Sequence, residues 1–282
     1  ADTMFDSGLV LDDVRVETNC GTPGTIALRQ MTLSVDQQLE VKDGALIVRF
    51  TQNRNPAVSS DGSTLAFIAN GDFGGGNPNL LEQAYLLESG AISRISNFTG
   101  DEIQSIEVSA DGDFVVVSAR ATPTDNLEIY RIQTNNGQLT QITTTSSCDN
   151  TSPSVNDNGR RIAFLSDCGS DLAAGFNADA NREMVVWNNG NLILNETTGC
   201  QSFRPMVNAL NSGSFVAFAS DCDYNGTNAD GNLEVFRFHR NSNSFIQVTD
   251  TTGSATVLDS VDINRDGDFV AYIAQDAGGR YV

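Results

Sequence analysis

Apolar positions along this chain gather in short runs, and each run follows a small polar turn. Ser59-Ser60-Asp61-Gly62 precedes Leu65-Ala66-Phe67-Ile68, and Ser109-Ala110-Asp111-Gly112 precedes Phe114-Val115-Val116-Val117. Asn156-Asp157-Asn158-Gly159 precedes Ile162-Ala163-Phe164-Leu165, and Leu210-Asn211-Ser212-Gly213 precedes Phe215-Val216-Ala217-Phe218. Asn264-Arg265-Asp266-Gly267 then precedes Phe269-Val270-Ala271-Tyr272. Runs this short, bounded by turn residues and apolar on both faces, read as buried strands. An alternating segment follows in four copies: Ala84-Tyr85-Leu86-Leu87, Leu127-Glu128-Ile129-Tyr130-Arg131-Ile132, Glu183-Met184-Val185-Val186-Trp187 and Glu234-Val235-Phe236-Arg237-Phe238. Turn signals at Ser89-Gly90, Asn135-Asn136-Gly137, Asn188-Asn189-Gly190 and Asn241-Ser242-Asn243 then predict a hairpin in each. The second copy reads as four strands, over 105–109, 114–118, 127–132 and 138–143. Nothing long reads as an amphipathic helix.

The turn glycines at 62, 112, 159, 213 and 267 are spaced by 50, 47, 54 and 54 residues. A period near 50 with four strands per unit predicts an all-β chain, a β-propeller of four-stranded blades. Arg280-Tyr281-Val282 stands where a third strand of the fifth repeat should start, and Ala45-Leu46-Ile47-Val48-Arg49-Phe50-Thr51 has the pattern of that repeat's missing fourth strand. Pairing the two would close the ring and remove two open edges, giving five blades. The chain then divides into an N-terminal β extension over 1–44 and a propeller over 45–282. Segments 9–17, 25–34 and 38–42 read as strands in the extension. Two readings stay open for it: a degenerate sixth blade, or an arm that adds strands to a neighbouring subunit.

The repeats resemble the WD40-like, TolB-type propeller repeat, whose core runs P-x-x-S-x-D-G-x-x-I-A-F, then E-I-Y, then a strand ending in T. Asn55-Pro56-Ala57-Val58-Ser59-Ser60-Asp61-Gly62-Ser63-Thr64-Leu65-Ala66-Phe67 carries the first part, and Leu127-Glu128-Ile129-Tyr130 with Leu139-Thr140-Gln141-Ile142-Thr143 the rest. The likeness covers 45–282. The fourth repeat departs by two extra residues before Gly213, and the first has Gln83 in place of the Glu. The resemblance implies a propeller. Its relatives include scaffolds, peptidase-associated propellers and surface proteins, so it implies no single activity.

The formal net charge is −20, with Lys42 the single lysine and His239 the single histidine. Such a surface repels phosphate backbones and argues against nucleic-acid partners. No apolar run has the length of a membrane-spanning helix, so no membrane insertion is expected. An amino end at Ala1-Asp2-Thr3 fits the mature end left by cleavage at a small-residue site.

The cysteines fall in register with the repeats. Cys148 and Cys200 each lie five residues before a proline, and Cys168 and Cys222 each lie nine after a turn glycine. Matched placement in successive repeats predicts Cys148–Cys168 and Cys200–Cys222 bridges, each within one blade. Disulfides indicate an oxidising place: outside the cell, on its surface, or in a periplasm. Cys20 is left over.

Chemistry is sparse. Asp221-Cys222-Asp223-Tyr224-Asn225-Gly226 opens like a calcium loop, with hard oxygen ligands at close spacing. Asn228 then stands where an apolar residue is required and Asn232 where the bidentate Glu should be. Asp221, Asp223, Asn225 and Asp230 are the best ligand set for a calcium ion, and the ordinary use of Asp, Asn and Gly in turns is the competing reading. No other cofactor is expected. A Ser-His-Asp triad would need His239, which sits at a strand end beside a turn. Trp187 reads as packing. No catalytic residues are assigned. The expectation is a secreted or surface propeller that binds proteins or builds structure, a self-associating homo-oligomer or polymer in its sharper form. The competing class is an extracellular carbohydrate-active hydrolase or lyase using carboxylates at the propeller centre.

Overall fold

The structure, a computed structural model, describes residues 38–42, 45–49, 53–73, 76–252, 256–276 and 279–281. They are all-β apart from a single 3-10 turn at Tyr224–Gly226. A hairpin pairs β1 (Gln38–Lys42) with β2 (Ala45–Arg49). Four antiparallel four-stranded meanders follow. The first comprises β3 (Asn53–Val58), β4 (Thr64–Ala69), β5 (Gln83–Glu88) and β6 (Ala91–Arg94); the second β7 (Ile103–Val108), β8 (Phe114–Ala119), β9 (Glu128–Gln133) and β10 (Leu139–Gln141). The third comprises β11 (Asn150–Val155), β12 (Arg161–Ser166), β13 (Glu183–Asn188) and β14 (Asn191–Leu194); the fourth β15 (Ser202–Val207), β16 (Phe215–Ser220), β17 (Glu234–His239) and β18 (Ser244–Gln247). A fifth sheet has three strands, β19 (Thr256–Ile263), β20 (Val270–Asp276) and β21 (Gly279–Tyr281). The expected four-stranded units and the third strand near the carboxyl end are present.

Successive sheets pack through their inner strands, β4 on β7, β8 on β11, β12 on β15 and β16 on β19. The second strands supply the core between them: Ala66, Phe67, Ile68, Val115, Val116, Val117, Ile162, Phe164, Val216 and Phe218 are fully buried. Each first strand bulges against its second, as at Arg54/Ala57, Thr151/Ser154 and Phe203/Met206. Asn55, Ser152 and Arg204 take positive φ there, and a proline follows each. A bulge takes these residues out of the regular ladder, which is why the motif's proline can sit in a strand.

The turn signal has one physical meaning in all five copies. The first turn residue caps the second strand: Ser59 and Ser109 accept from the backbone of Thr64 and Phe114 through Oγ, and Asn156, Asn208 and Asn264 accept from Arg161, Phe215 and Phe269 through Oδ1. In the fourth repeat the cap is Asn208, not Leu210, because the two extra residues lengthen the turn between cap and glycine. The turn glycines take positive φ, from +48° at Gly213 to +82° at Gly267, a region L side chains avoid. The turns also join one sheet to the next. Ser60 N–H donates to Ala110 O, Asp111 to Asp157, Asp157 to Ala209 and Leu210 to Arg265, at 2.7–3.2 Å.

The expected closure through the 45–51 segment is not confirmed: among the described residues, Ala45–Arg49 pairs with Gln38–Lys42, and the fifth sheet has three strands. Asp43-Gly44, between the two strands, is a strong hairpin signal. A two-residue connection closes at far less entropic cost than pairing with strands more than 200 residues away. The strands expected at 9–17 and 25–34, and Cys20, lie outside the described residues.

Candidate functional site

The acid that opens each third strand is a structural clasp. Glu183 and Glu234 are completely buried and Glu128 nearly so. Glu128 Oε1 accepts from Thr145 N and Oγ1 at 2.5 and 2.6 Å, and Glu183 Oε1 from Thr197 N and Oγ1 at 2.6 and 2.9 Å. Glu234 Oε1 accepts from Thr251 N and Oγ1 at 2.6 and 2.5 Å, and its Oε2 from Thr249 Oγ1. Gln83 does the same work in the first sheet, accepting from Ser96 Oγ and Phe98 N. The motif's Glu and a threonine beyond the motif's strand-ending Thr, Thr145 where the motif ends at Thr143, are therefore the two halves of one clasp between the third strand and the segment after the fourth. Burial raises the Glu183 carboxyl above its ordinary range, with the Thr197 hydrogen bonds opposing.

Both disulfides are formed, with Cα–Cα separations of 5.0 Å for Cys148–Cys168 and 5.1 Å for Cys200–Cys222. Each has the same carboxylate beside it. Asp167 Oδ1 accepts from Asp149 N at 2.7 Å, and Asp221 Oδ1 from Gln201 N at 2.5 Å. The residue after the first cysteine is thus tied to the residue before the second.

The four calcium candidates make these contacts. Asp221 serves the disulfide corner. Asp223 Oδ1 accepts from Asn228 N, and Asn225, at φ +67°, donates its amide to Phe245 O. Asp230 is exposed at the loop tip. Among the described residues, the clusters of three or more acid, cysteine or histidine ligand atoms are the two disulfides with their Asp167 and Asp221, whose sulfurs are already bonded to one another.

His239 stacks on Phe215 at 4.7 Å and its Nδ1 meets the exposed Ser242 Oγ, and among the described residues no carboxylate is hydrogen-bonded to its ring. Trp187 is buried and stacks with the Arg131 guanidinium at 5.0 Å. Arg131 also covers Phe114 and donates to Gly159 O in the next sheet. Arg237 repeats that arrangement over Phe215 with Gly267 O. The two arginines are intersheet struts, and the cleft of about 440 Å³ between Phe114, Arg131 and Arg160 opens beside the first of them.

A family model described as Lactonase, 7-bladed beta-propeller, matches residues 86–185. No curated protein matches the chain. Solved structures that resemble it include TolB from Acinetobacter baumannii, at 19% identity and a TM-score of 0.53, covering 80% of this chain and 50% of that one. A second is an oligogalacturonate lyase from Vibrio parahaemolyticus, at 12% identity and a TM-score of 0.57, covering 87% and 68%. A third is a putative TolB from Agrobacterium tumefaciens, at 14% and 0.53, covering 82% and 74%. The fold is that of a TolB-like β-propeller. This propeller spans half the length of the Acinetobacter TolB chain it matches, and at these identities the likeness concerns architecture alone.

Two features of the propeller had no signal in the sequence. Arg265 in the fifth sheet's turn reaches Asp157 in the third sheet's turn, Nη2 to Oδ2 2.8 Å. Glu107 on β7 and Asp262 on β19, innermost strands of the second and fifth sheets, come within electrostatic reach. Burial pushes Glu107 up to about 7, and the Asp262 charge adds to the shift. Both pairings join repeats that are not sequence neighbours, so only the curvature of the whole assembly creates them.

Proposed function

We propose that this propeller is a binding or structural module of an oxidising compartment, outside the cell, on its surface or in a periplasm, with proteins as its partners, and that it is not an enzyme. The observation that carries this reading is the saturation of its repeat acids. Glu128, Glu183 and Glu234 are held by threonines of their own blades, and Asp61, Asp167 and Asp221 by turn and corner hydrogen bonds. Carboxylates engaged in this way are poor acids, bases or nucleophiles, because each reaction would first break a hydrogen bond already made. What remains for function is a rigid scaffold with an acidic surface. The two intrablade disulfides suit it to conditions that would reduce or unfold an unstapled blade. Self-assembly through residues 1–44 is the sharper form of this reading.

Glu107 with Asp262 supports a second reading, a carbohydrate-active lyase or hydrolase, since two carboxyl groups within electrostatic reach, one of them pushed up to about 7, can share acid and base work. Incubation with uronate-containing oligosaccharides and with aryl glycosides, followed by ultraviolet absorbance and reducing-end assays, separates the two. The module predicts no turnover. Turnover that disappears in Glu107→Gln would establish the enzyme instead.

A further inference from the structure

The two ends of the third and fourth sheets carry opposite charge. In each meander the turns after the first and third strands share one end, and the loops after the second and fourth strands share the other. Hydrogen bonds from turn to turn, such as Asp157 N–H to Ala209 O, set the turn ends side by side.

The turn end of these two sheets is cationic. The residue before the turn glycine is Asp61, Asp111 and Asp266 in the first, second and fifth repeats, but Asn158 and Ser212 in the third and fourth. The turn itself does not require the exchange: Asp61, Asp111 and Asn158 each accept from the backbone N–H two residues on, at 3.0, 3.0 and 3.3 Å. Asn158 keeps the bond and drops the charge. Arg161 and Arg240 both pack on the fourth sheet's turn. A Cβ on Gly213 would stand 2.6 Å from Arg161, and Arg240 donates to Ser212 O at 3.1 Å. Arg160 is exposed next to Arg161. Burial holds the Arg161 guanidinium below its ordinary range, and the charges of Arg240 and Arg160 add to the shift. Among the described residues none of these three arginines forms an ion pair. The acid in these turns, Asp157, is paired with Arg265. Asp111 and Asp113 of the second sheet's turn mark where the cationic sector stops. On a chain of formal charge −20, arginines crowded together without a carboxylate attract the acids of a partner.

The loop end of the same two sheets is anionic. The loop from β12 to β13 carries Asp167, Asp171 and Asp179 against Arg182, and the loop from β16 to β17 carries Asp221, Asp223 and Asp230 with no base. All six except Asp221 are exposed.

We propose that the arginine turns of one copy dock head to tail on the acidic loops of the third and fourth sheets of a second copy. This names a partner for the module reading above and rests on it. Charge complementarity selects the second copy, because both halves of the contact lie on the same two sheets at opposite ends. The contact is heterologous and leaves one end of each kind free, so it propagates into a stack. Repulsion between the whole acidic molecules is screened beyond about 8 Å at physiological salt, whereas charges in contact are not.

The test is sedimentation velocity of the full chain over a concentration series at physiological salt, in a Cys20→Ser background that removes disulfide-linked dimers. One variant, Asn158→Asp with Arg160→Ser, gives the third turn the Asp61-Gly62-Ser63 sequence of the first. The other, Asp223→Asn with Asp230→Lys, alters the loop end and keeps an acceptor for Asn228 N–H. Circular dichroism should show both folded as the parent is. The parent should grow with concentration, and each variant alone should associate at least about tenfold more weakly. An equimolar mixture of the two variants should form a dimer and nothing larger, since each supplies the end the other lacks. A parent that stays monomeric would overturn the stack, and without turnover in the assays above it would leave the module reading standing. Association that neither variant weakens, or a mixture that forms no dimer, would also overturn the proposal.

Discussion

Arg265 crosses from the fifth sheet to Asp157 of the third, placing Nη2 2.8 Å from Oδ2. Asp157 is the buried partner and also passes its N–H to Ala209 O in the fourth sheet. Three sheets therefore meet at one turn residue near the inner rim. Arg265→Ala should lower the urea midpoint, because it leaves a buried carboxylate without its cation. Asp157→Asn added to that variant should recover most of the loss, since an amide needs no counter-charge. A double variant no more stable than Arg265→Ala would show that the pair does not couple these sheets.

The bridges close short loops, with sequence separations of 20 and 22 residues. Replacing Cys148 and Cys168 together by serine should cost roughly 3 kcal/mol, and the Cys200/Cys222 pair a similar amount. Urea titrations with and without reductant check this. Reductant should move the parent chain toward the variants and should not move a variant lacking both bridges.

Glu107 gives the chain a pH dependence of definite sign. Its carboxyl is pushed from 4.5 in the free side chain up to about 7 in the folded protein. The folded state therefore binds the extra proton between those values, and stability falls as pH rises through that window. The urea midpoint should drop from pH 5 to pH 8, and Glu107→Gln should flatten the decline. The general self-repulsion of a chain with formal charge −20 acts in the same direction but is common to both proteins. Parallel profiles for the two would remove Glu107 as the cause.

The Gly267 turn is tested by a methyl group. Gly267→Ala meets both a φ of +82° and the Phe215 ring, so it should lose about 1 kcal/mol for the backbone and about 1–3 kcal/mol for overpacking. Gly90→Ala carries a comparable φ of +83° with open space around it and should lose only the first amount. Equal losses at the two positions would mean that the Phe215 ring does not pack against Gly267.

Much of this architecture was legible because it is local and repeated. The turn glycines, the buried second strands and the cysteine register each recur at fixed offsets, so five copies reinforce one reading. The partners of the buried acids were half legible. Glu128 and Thr145 both belong to the repeat, but the hydrogen bond joining them depends on how the fourth strand returns. The ring closure rested on the alternation of the 45–51 segment alone, whereas the local hairpin was marked by Asp43-Gly44. The calcium set was drawn from spacing in one loop, and spacing alone could not show that Asp221 also ties the Cys200–Cys222 corner, as Asp167 ties the matching corner of the third sheet.

The account rests on the repeat acids building blades rather than performing chemistry, and Gln83 supplies the natural precedent for testing it. Replacing Glu128, Glu183 and Glu234 by glutamine in one chain should leave a cooperatively folded protein with an unchanged near-ultraviolet circular dichroism spectrum. Glu234→Ala alone should lose about 3 kcal/mol, by stranding the Thr249 and Thr251 donors. A triple glutamine variant that folds normally but loses an activity of the parent chain would contradict the account.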